Sequence, residues 1–334
     1  MSRRLLWLSI PFKEPFTTAA GAVKARDIVV LRVQRGHVVG YGEAAPFEPY
    51  DGVAIADVAR VLQEQRFPTP YPQVHAADEM AFLDLEGRRL GTPVAELASA
   101  TVPVNFTLAG ATPEDVAASA SAARREGYDC FKLKVGFADD EARVAAVRDA
   151  IGADALLRLD ANGAWAPDDA VKRIRRLAPY GLQLVEQPCV TLEDLAAVRR
   201  ACEVPIAADE SVQGADDVRA AARLEACDMV SIKLAPMGGV NAARAAIEAA
   251  RSAGIAPYLS SALDGPWGIA AALQLASAEE ISLHCGLATL DLFDAAIARA
   301  LPSPKEGKIE VPAGPGLGVD VSDEAIREVL VQEL

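Results

Sequence analysis

Between Cys130 and Leu234 the chain carries five short apolar runs, and each holds a charged residue that a buried strand has no use for. In order they are Cys130-Phe-Lys-Leu-Lys-Val-Gly136, Leu156-Leu-Arg-Leu-Asp-Ala-Asn162, Leu182-Gln-Leu-Val-Glu-Gln-Pro188, Pro205-Ile-Ala-Ala-Asp-Glu-Ser211 and Met229-Val-Ser-Ile-Lys-Leu234. The odd charges are Lys134, Asp160, Glu186, Asp209 and Lys233. They recur roughly every 25 residues, about the length of one strand-loop-helix-loop unit. A (β/α) barrel brings the C-terminal end of every strand to one face, so charges in this phase converge. Counting strands places the two lysines on opposite walls of the barrel mouth, with three carboxylates between them.

The rest of the chain fits that reading. From Val102 onward strand candidates end near Leu108, Val135, Asn162, Gln187, Ser211, Leu234, Leu263 and Gly286, with helical stretches between them. Thr112-Pro-Glu-Asp115, for example, supplies an N-cap, a first-turn proline and early acids. Strict alternation of this kind favours an α/β barrel over an open sheet. Residues 1–100 differ. Asp27 to Val33 and Val38 to Glu43 are β-rich runs around a polar turn, and Asp51 to Gln65 and Ala76 to Ala98 have helical spacing. Strands first and helices after them predict a small α+β domain. Phe67-Pro-Thr-Pro-Tyr-Pro72 is expected to be a rigid connector. Residues 101–300 would form the barrel, and the turn-rich tail 301–334 would pack back on the first domain.

Composition excludes some functions. The formal charge of −14 argues against a nucleic-acid partner, which needs a basic surface. No apolar run reaches the roughly 18 residues of a membrane span. The opening Met1 to Ile10 reads as a first strand rather than a signal peptide, because Pro11, Lys13 and Glu14 interrupt it. The cysteines Cys130, Cys189, Cys202, Cys227 and Cys285 are odd in number and lack CxxC spacing, which suits a reducing cytoplasm. His37, His75 and His284 form no paired motif and are given structural or solvent roles.

The chemistry lies in the lysines and acids. Lys132 and Lys134 are two apart on a strand and share a face. Two inward ammonium groups repel and lose solvent, so at least one is expected to have a lowered pKa and serve as a base. Each of Asp160, Glu186 and Asp209 alone fits a salt bridge or a helix cap. Together they are a costly negative cluster unless a cation neutralises them. All-oxygen ligation favours Mg²⁺ or Mn²⁺. Asn162 and Glu210 either orient ligands or simply pack. Ser260, Ser261 and Asp264 end the seventh strand, where hydroxyls and backbone NH groups could hold a substrate carboxylate. Gly238-Gly239 opens a helix and could bind an anion. A divalent ion flanked by two lysines suits proton abstraction next to a carboxylate.

Lys132-Leu-Lys134, Asp160-Ala-Asn162, Glu186-Gln-Pro188, Asp209-Glu-Ser211 and Lys233, with Gly40-Tyr-Gly-Glu-Ala-Ala-Pro46 in the first domain, resemble the muconate-lactonizing-enzyme subgroup of the enolase superfamily. The resemblance implies a (β/α)₇β modified TIM barrel with an N-terminal α+β capping domain completed by the C-terminal tail. It also implies a Mg²⁺ site on Asp160, Glu186 and Asp209 and a small-molecule carboxylate substrate, and leaves a homo-oligomer open. Arg158 to Trp165, Val185 to Cys189, Ser260 to Asp264 and Gly286 to Leu292 are similar to the o-succinylbenzoate synthase family of menaquinone biosynthesis. By that resemblance Lys134 removes a proton and returns it to a departing hydroxyl, Lys233 stabilises the enediolate from the other face, and Lys132 tunes Lys134. Pro15 to Asp27 instead looks like the mobile capping loop of dipeptide epimerases and muconate cycloisomerases. Against an epimerase, no Asp-x-Asp ends the eighth strand. A barrel that binds without catalysing is the third reading.

Overall fold

Period-two alternation explains the first sheet. In the strand Gly21–Arg35 (β2), Ile28 and Val30 point into one core while Val29, Leu31 and Val33 point into another. Both faces of the sheet are therefore covered, and its strands read as continuous apolar runs. β2 lies between Ser2–Thr18 (β1) and Val38–Ala44 (β3), all antiparallel. The last strand, Leu330–Glu333 (β13), adds to the free edge of β1. The helices Ile55–Glu64 (α2) and Pro72–Leu90 (α3) cover one face, after the single-turn helix Glu48–Asp51 (α1). α3 lies directly on β3: a Cβ at Gly42 would stand 1.9 Å from the Ala77 carbonyl oxygen. α3 stops at Gly91, short of the helix expected to Ala98, because that residue adopts the left-handed conformation that ends a helix.

The structure, a computed structural model, describes every residue except Ala19, Ala20, Arg66, Phe67 and Ala109. The segment read as a capping loop, Pro15 to Asp27, is mostly β-ribbon: Phe16 pairs with Val23 and Ile10 with Arg26, past a bulge that follows Pro11. Ala19 and Ala20, within that segment, lie outside the described residues, as does Phe67 of the proline-rich connector.

Among the described residues seven parallel strands form the barrel sheet: Phe106–Leu108 (β5), Cys130–Lys134 (β6), Leu156–Asp160 (β7), Leu182–Glu186 (β8), Ile206–Ala208 (β9), Met229–Ile232 (β10) and Ala256–Leu259 (β11). The eighth strand is reduced to single bridges. Cys285 N donates to Pro103 O and Gly286 N to Leu259 O, which joins the two edges of the sheet across this segment. Helices α4 (Pro113–Arg125), α5 (Asp140–Ile151), α6 (Pro167–Leu177), α7 (Leu192–Ala201), α8 (Ala215–Leu224), α9 and α10 (Leu234–Met237 and Val240–Ser252) and α11 (Pro266–Ala278) fill the connections. α4 starts with the N-cap expected at Thr112, and the Asp115 side chain answers it to complete a capping box. Thr101–Pro103 (β4) pairs with Lys308–Glu310 (β12), and α12 (Asp323–Val329) leads into β13. Among the described residues no helix is long and apolar enough to cross a membrane.

Candidate active site

Register brings the charges to one level. Lys134 on β6 is the Cα partner of Asp160 on β7, and Asp160 is the partner of Glu186 on β8. Lys134 Nζ donates to Asp160 Oδ2 at 2.9 Å and to Asn162 Oδ1 at 2.7 Å. Asn162, in the left-handed region at φ 44°, passes the contact on by donating from Nδ2 to Glu210 Oε1. Lys132 lies one layer deeper. Its Nζ is 2.9 Å from Asp160 Oδ2 and 3.0 and 3.1 Å from the two Glu186 oxygens. The Tyr258 hydroxyl supports Glu186 from β11 at 3.0 Å, with the Arg158 guanidinium 5.0 Å from the centre of its ring.

Across the mouth Lys233 follows β10. Its Nζ donates to Asp209 Oδ1 and to the Tyr50 hydroxyl, and lies 4.4 Å from the centre of the Tyr50 ring. The same hydroxyl donates to Asp209 Oδ1. Asp209 is fixed from below by its own amide, which donates to Gln187 Oε1 at 2.7 Å. Tyr50 comes from α1 in the first domain and was not anticipated from sequence. Its one local signal is the aromatic side chain soon after Gly40-Tyr-Gly-Glu43, and nothing in spacing ties it to β10.

Burial and charge set the protonation states. Burial would push the Lys132 ammonium down, but Asp160, Glu186 and Asp209 outweigh it and hold it above the ordinary lysine value. For Lys132 this reverses the expectation of a lowered amine, because its side chain lands between carboxylates. Lys233 is likewise driven down by burial and held up by Asp209, Glu210 and Glu186. Asp160, despite burial, is kept well below the carboxylate range by Lys132 and Lys134. Glu186 is raised by burial in spite of Lys132. Burial, then Asp209 and Asp160, push Glu210 up to about 7. The buried phenols of Tyr50 and Tyr258 are pushed well above their ordinary value by burial and adjacent carboxylates, so both stay neutral donors.

Among the described residues no three acidic, histidine or cysteine side chains are gathered as a ready cation cage. The ammonium groups explain this: Lys132 lies between Asp160 and Glu186, and Lys233 with Tyr50 engages Asp209. The donor set nonetheless fits a hard divalent ion. Asp160 and Glu186 already grip one shared cation, the Lys132 ammonium, through buried carboxylate oxygens.

The seventh-strand residues divide. Ser260 Oγ and Asp264 Oδ1 are buried and without a hydrogen-bond partner among the described residues, as are Ser231 Oγ and Glu210 Oε2. Ser261 is spent within its own turn, where Oγ accepts from Asp264 N at 2.7 Å and from Thr289 Oγ1. The helix start at Gly238-Gly239 does not await an outside anion, since the Glu79 carboxylate from α3 accepts from Val240 N and Asn241 N. His284 pairs with Asp129, away from these lysines.

A profile described as Enolase C-terminal domain-like matches residues 115–325. The o-succinylbenzoate synthase of Thermobifida fusca (strain YX) is 42% identical over 235 residues, 69% of this chain and 71% of that protein. Muconate cycloisomerase 1 of Rhodococcus opacus is 30% identical across 96% of this chain and 95% of its own. Among solved structures, the dipeptide epimerase from Enterococcus faecalis V583, complexed with Mg and the dipeptide L-Leu-L-Tyr, has a TM-score of 0.87 at 28% identity and covers 96% of this chain and 99% of that one. The chain belongs to the enolase superfamily, within the muconate-lactonizing-enzyme subgroup. Its relatives there are enzymes, and their names span a synthase, a cycloisomerase and an epimerase.

Proposed function

We propose that this enzyme is a Mg²⁺-dependent o-succinylbenzoate synthase, acting in the cytoplasm on 2-succinyl-6-hydroxy-2,4-cyclohexadiene-1-carboxylate in menaquinone biosynthesis. The observation that carries the reading is the inequality of the two lysines. The Lys134 side chain is 34% exposed at the mouth and bonded to one carboxylate and one amide, whereas that of Lys233 is 8% exposed and held by Asp209 and Tyr50. One amine open to the mouth and one enclosed positive charge suit a reaction in which a single group both takes and returns a proton.

Asp160, Glu186 and Asp209 would hold the cation, which when bound supplies positive charge to the substrate carboxylate. Lys134 takes the proton from the carbon next to that carboxylate. The C–O bond then breaks, the ring gains a double bond, and Lys134 gives the proton to the departing hydroxyl, so one water leaves on the same face. Lys233 steadies the negative charge that builds on the substrate. Lys132 keeps Asp160 ionised beneath Lys134, and Asn162 aims the Lys134 amine. Ser260 and Asp264 are proposed to contact the substrate, with Ser261 shaping their turn.

A second reading, a dipeptide epimerase or N-acylamino acid racemase, draws support from the β1–β2 ribbon and from the likeness to the Enterococcus enzyme. Such a reaction calls on both lysines as opposed acid and base. A dipeptide epimerase also calls for acceptors for the substrate ammonium, yet Gly286 is followed by Leu287, Ala288 and Thr289, and Asp291 accepts instead from Ser303. The test is a direct assay of synthase and dipeptide substrates with Mg²⁺ present and removed. Aromatic product that requires both Mg²⁺ and Lys134 supports the synthase, and α-carbon deuteration of a dipeptide in D₂O without aromatic product sinks it.

A further inference from the structure

Arg26 is a buried cation whose bonds go to backbone carbonyls of both parts of the fold. Its Nε donates to Leu263 O at 3.1 Å, Nη1 to Asp27 O at 2.7 Å and to Pro46 O, and Nη2 to Ala45 O at 2.8 Å. The guanidinium also lies 4.9 Å from the centre of the Phe47 ring. Three of these carbonyls belong to the first domain, and the fourth belongs to the turn after β11. That fourth residue, Leu263, has φ 64°, a left-handed conformation that is strained for a leucine and persists only where its surroundings enforce it.

A second residue of the first domain grips the same turn. The Glu43 carboxylate accepts from Gly265 N at 2.6 Å and from Gly268 N at 3.2 Å, at the start of α11. The turn from Ser260 to Gly265 is therefore set by the capping sheet from two sides. It carries two of the buried atoms that lack a partner among the described residues, Ser260 Oγ and Asp264 Oδ1. Buried polar atoms of a native fold are otherwise almost all satisfied. Arg26 itself lies on β2 at the base of the ribbon, paired with Ile10.

We propose that Arg26 is a positioning residue of the active site: it locks the Ser260–Gly265 turn to the capping sheet, aims Ser260 and Asp264 at the substrate, and makes ribbon and turn move as one body. Burial pushes the Arg26 guanidinium down, while Asp264 and Glu43 counter it. The aiming of Ser260 and Asp264 rests on the functional reading above. The clamp itself does not.

The test compares Arg26→Met and Arg26→Lys with Glu79→Gln, which weakens another contact between the two parts of the fold, at α10 and away from the turn. Steady-state turnover of the synthase substrate and deuterium uptake in the 260–268 segment are measured on the full chain. R26M is expected to raise KM about tenfold with kcat within about threefold, and to speed uptake in that segment. R26K keeps the charge but not the planar fork, and is expected to fall between R26M and the wild type. E79Q should leave both readouts at wild-type values. Should R26M not fold, R26K carries the same comparison. Unchanged KM and unchanged uptake in the arginine variants, or an E79Q that matches them, would overturn the proposal. If the wild type turns over no synthase substrate, the functional reading fails while uptake in the 260–268 segment still decides the clamp.

Discussion

The two walls of the barrel mouth use the same residue type in opposite ways. On the β6 wall Lys134 stands partly in solvent, shares Asp160 with Lys132 and leans on a neutral amide. On the β10 wall Lys233 is enclosed, paired one to one with Asp209 and covered by the face of Tyr50. A lysine that must move a proton needs room and a partner it can leave, whereas one that supplies charge gains from being immobile and dry. The contrast teaches that two lysines on facing strands do not by themselves make a symmetric acid and base pair.

Substitutions can break that contrast. Lys134→Ala is expected to lower turnover about a thousandfold or more, within the upper range of general acid–base catalysis, while leaving the melting temperature near wild type because Lys132 still pairs Asp160. Unimpaired turnover would remove Lys134 as the base. Lys233→Met should cost turnover about a hundredfold and, unlike Lys134→Ala, stability as well. It strips Asp209 of its buried partner, a loss of about 3–5 kcal/mol by chemical denaturation in chelator. Equal and purely catalytic losses at both lysines would instead restore the symmetric reading.

Tyr50→Phe keeps the ring over Lys233 and deletes the two hydrogen bonds of the hydroxyl, from Lys233 and to Asp209, so a fall in kcat of roughly tenfold or less is expected. A larger fall would make the phenol itself a participant. The smallest effect asks whether the cap interface contributes its own pH response. Glu43 is pushed up to about 7 by burial and then by Asp264. Between the unfolded carboxylate value and about 7 the folded chain binds a proton that the unfolded chain has released, so stability should decline as pH rises through that window. Glu43→Gln, neutral throughout, should flatten that part of a melting profile taken from pH 5 to 8. A profile with the wild-type slope would place the response elsewhere.

Much of this was readable in the chain. The barrel announced itself because Lys134, Asp160, Glu186, Asp209 and Lys233 repeat with the strand-helix unit, and strand phase fixes which way a side chain points. Three things were not readable. Tyr50 reaches Lys233 across 183 positions of sequence, a pairing set by how the first domain docks rather than by any local pattern. The elevated state of Lys132 depends on distances to carboxylates of other strands, which composition cannot give. The run from Pro15 to Asp27 resembles a capping loop, and that resemblance does not say how the chain is paired, which is mostly as the ribbon of β1 and β2.

The inequality of the lysines is tested most directly by incubating the wild-type enzyme in D₂O with Mg²⁺ and, in parallel, 2-succinyl-6-hydroxy-2,4-cyclohexadiene-1-carboxylate and an L,L-dipeptide, following aromatic absorbance and α-carbon deuterium. Rapid formation of the aromatic acid, with little or no deuterium entering the dipeptide, is the expected result. Rapid deuteration of the dipeptide in both epimers, with no aromatic product, would contradict it.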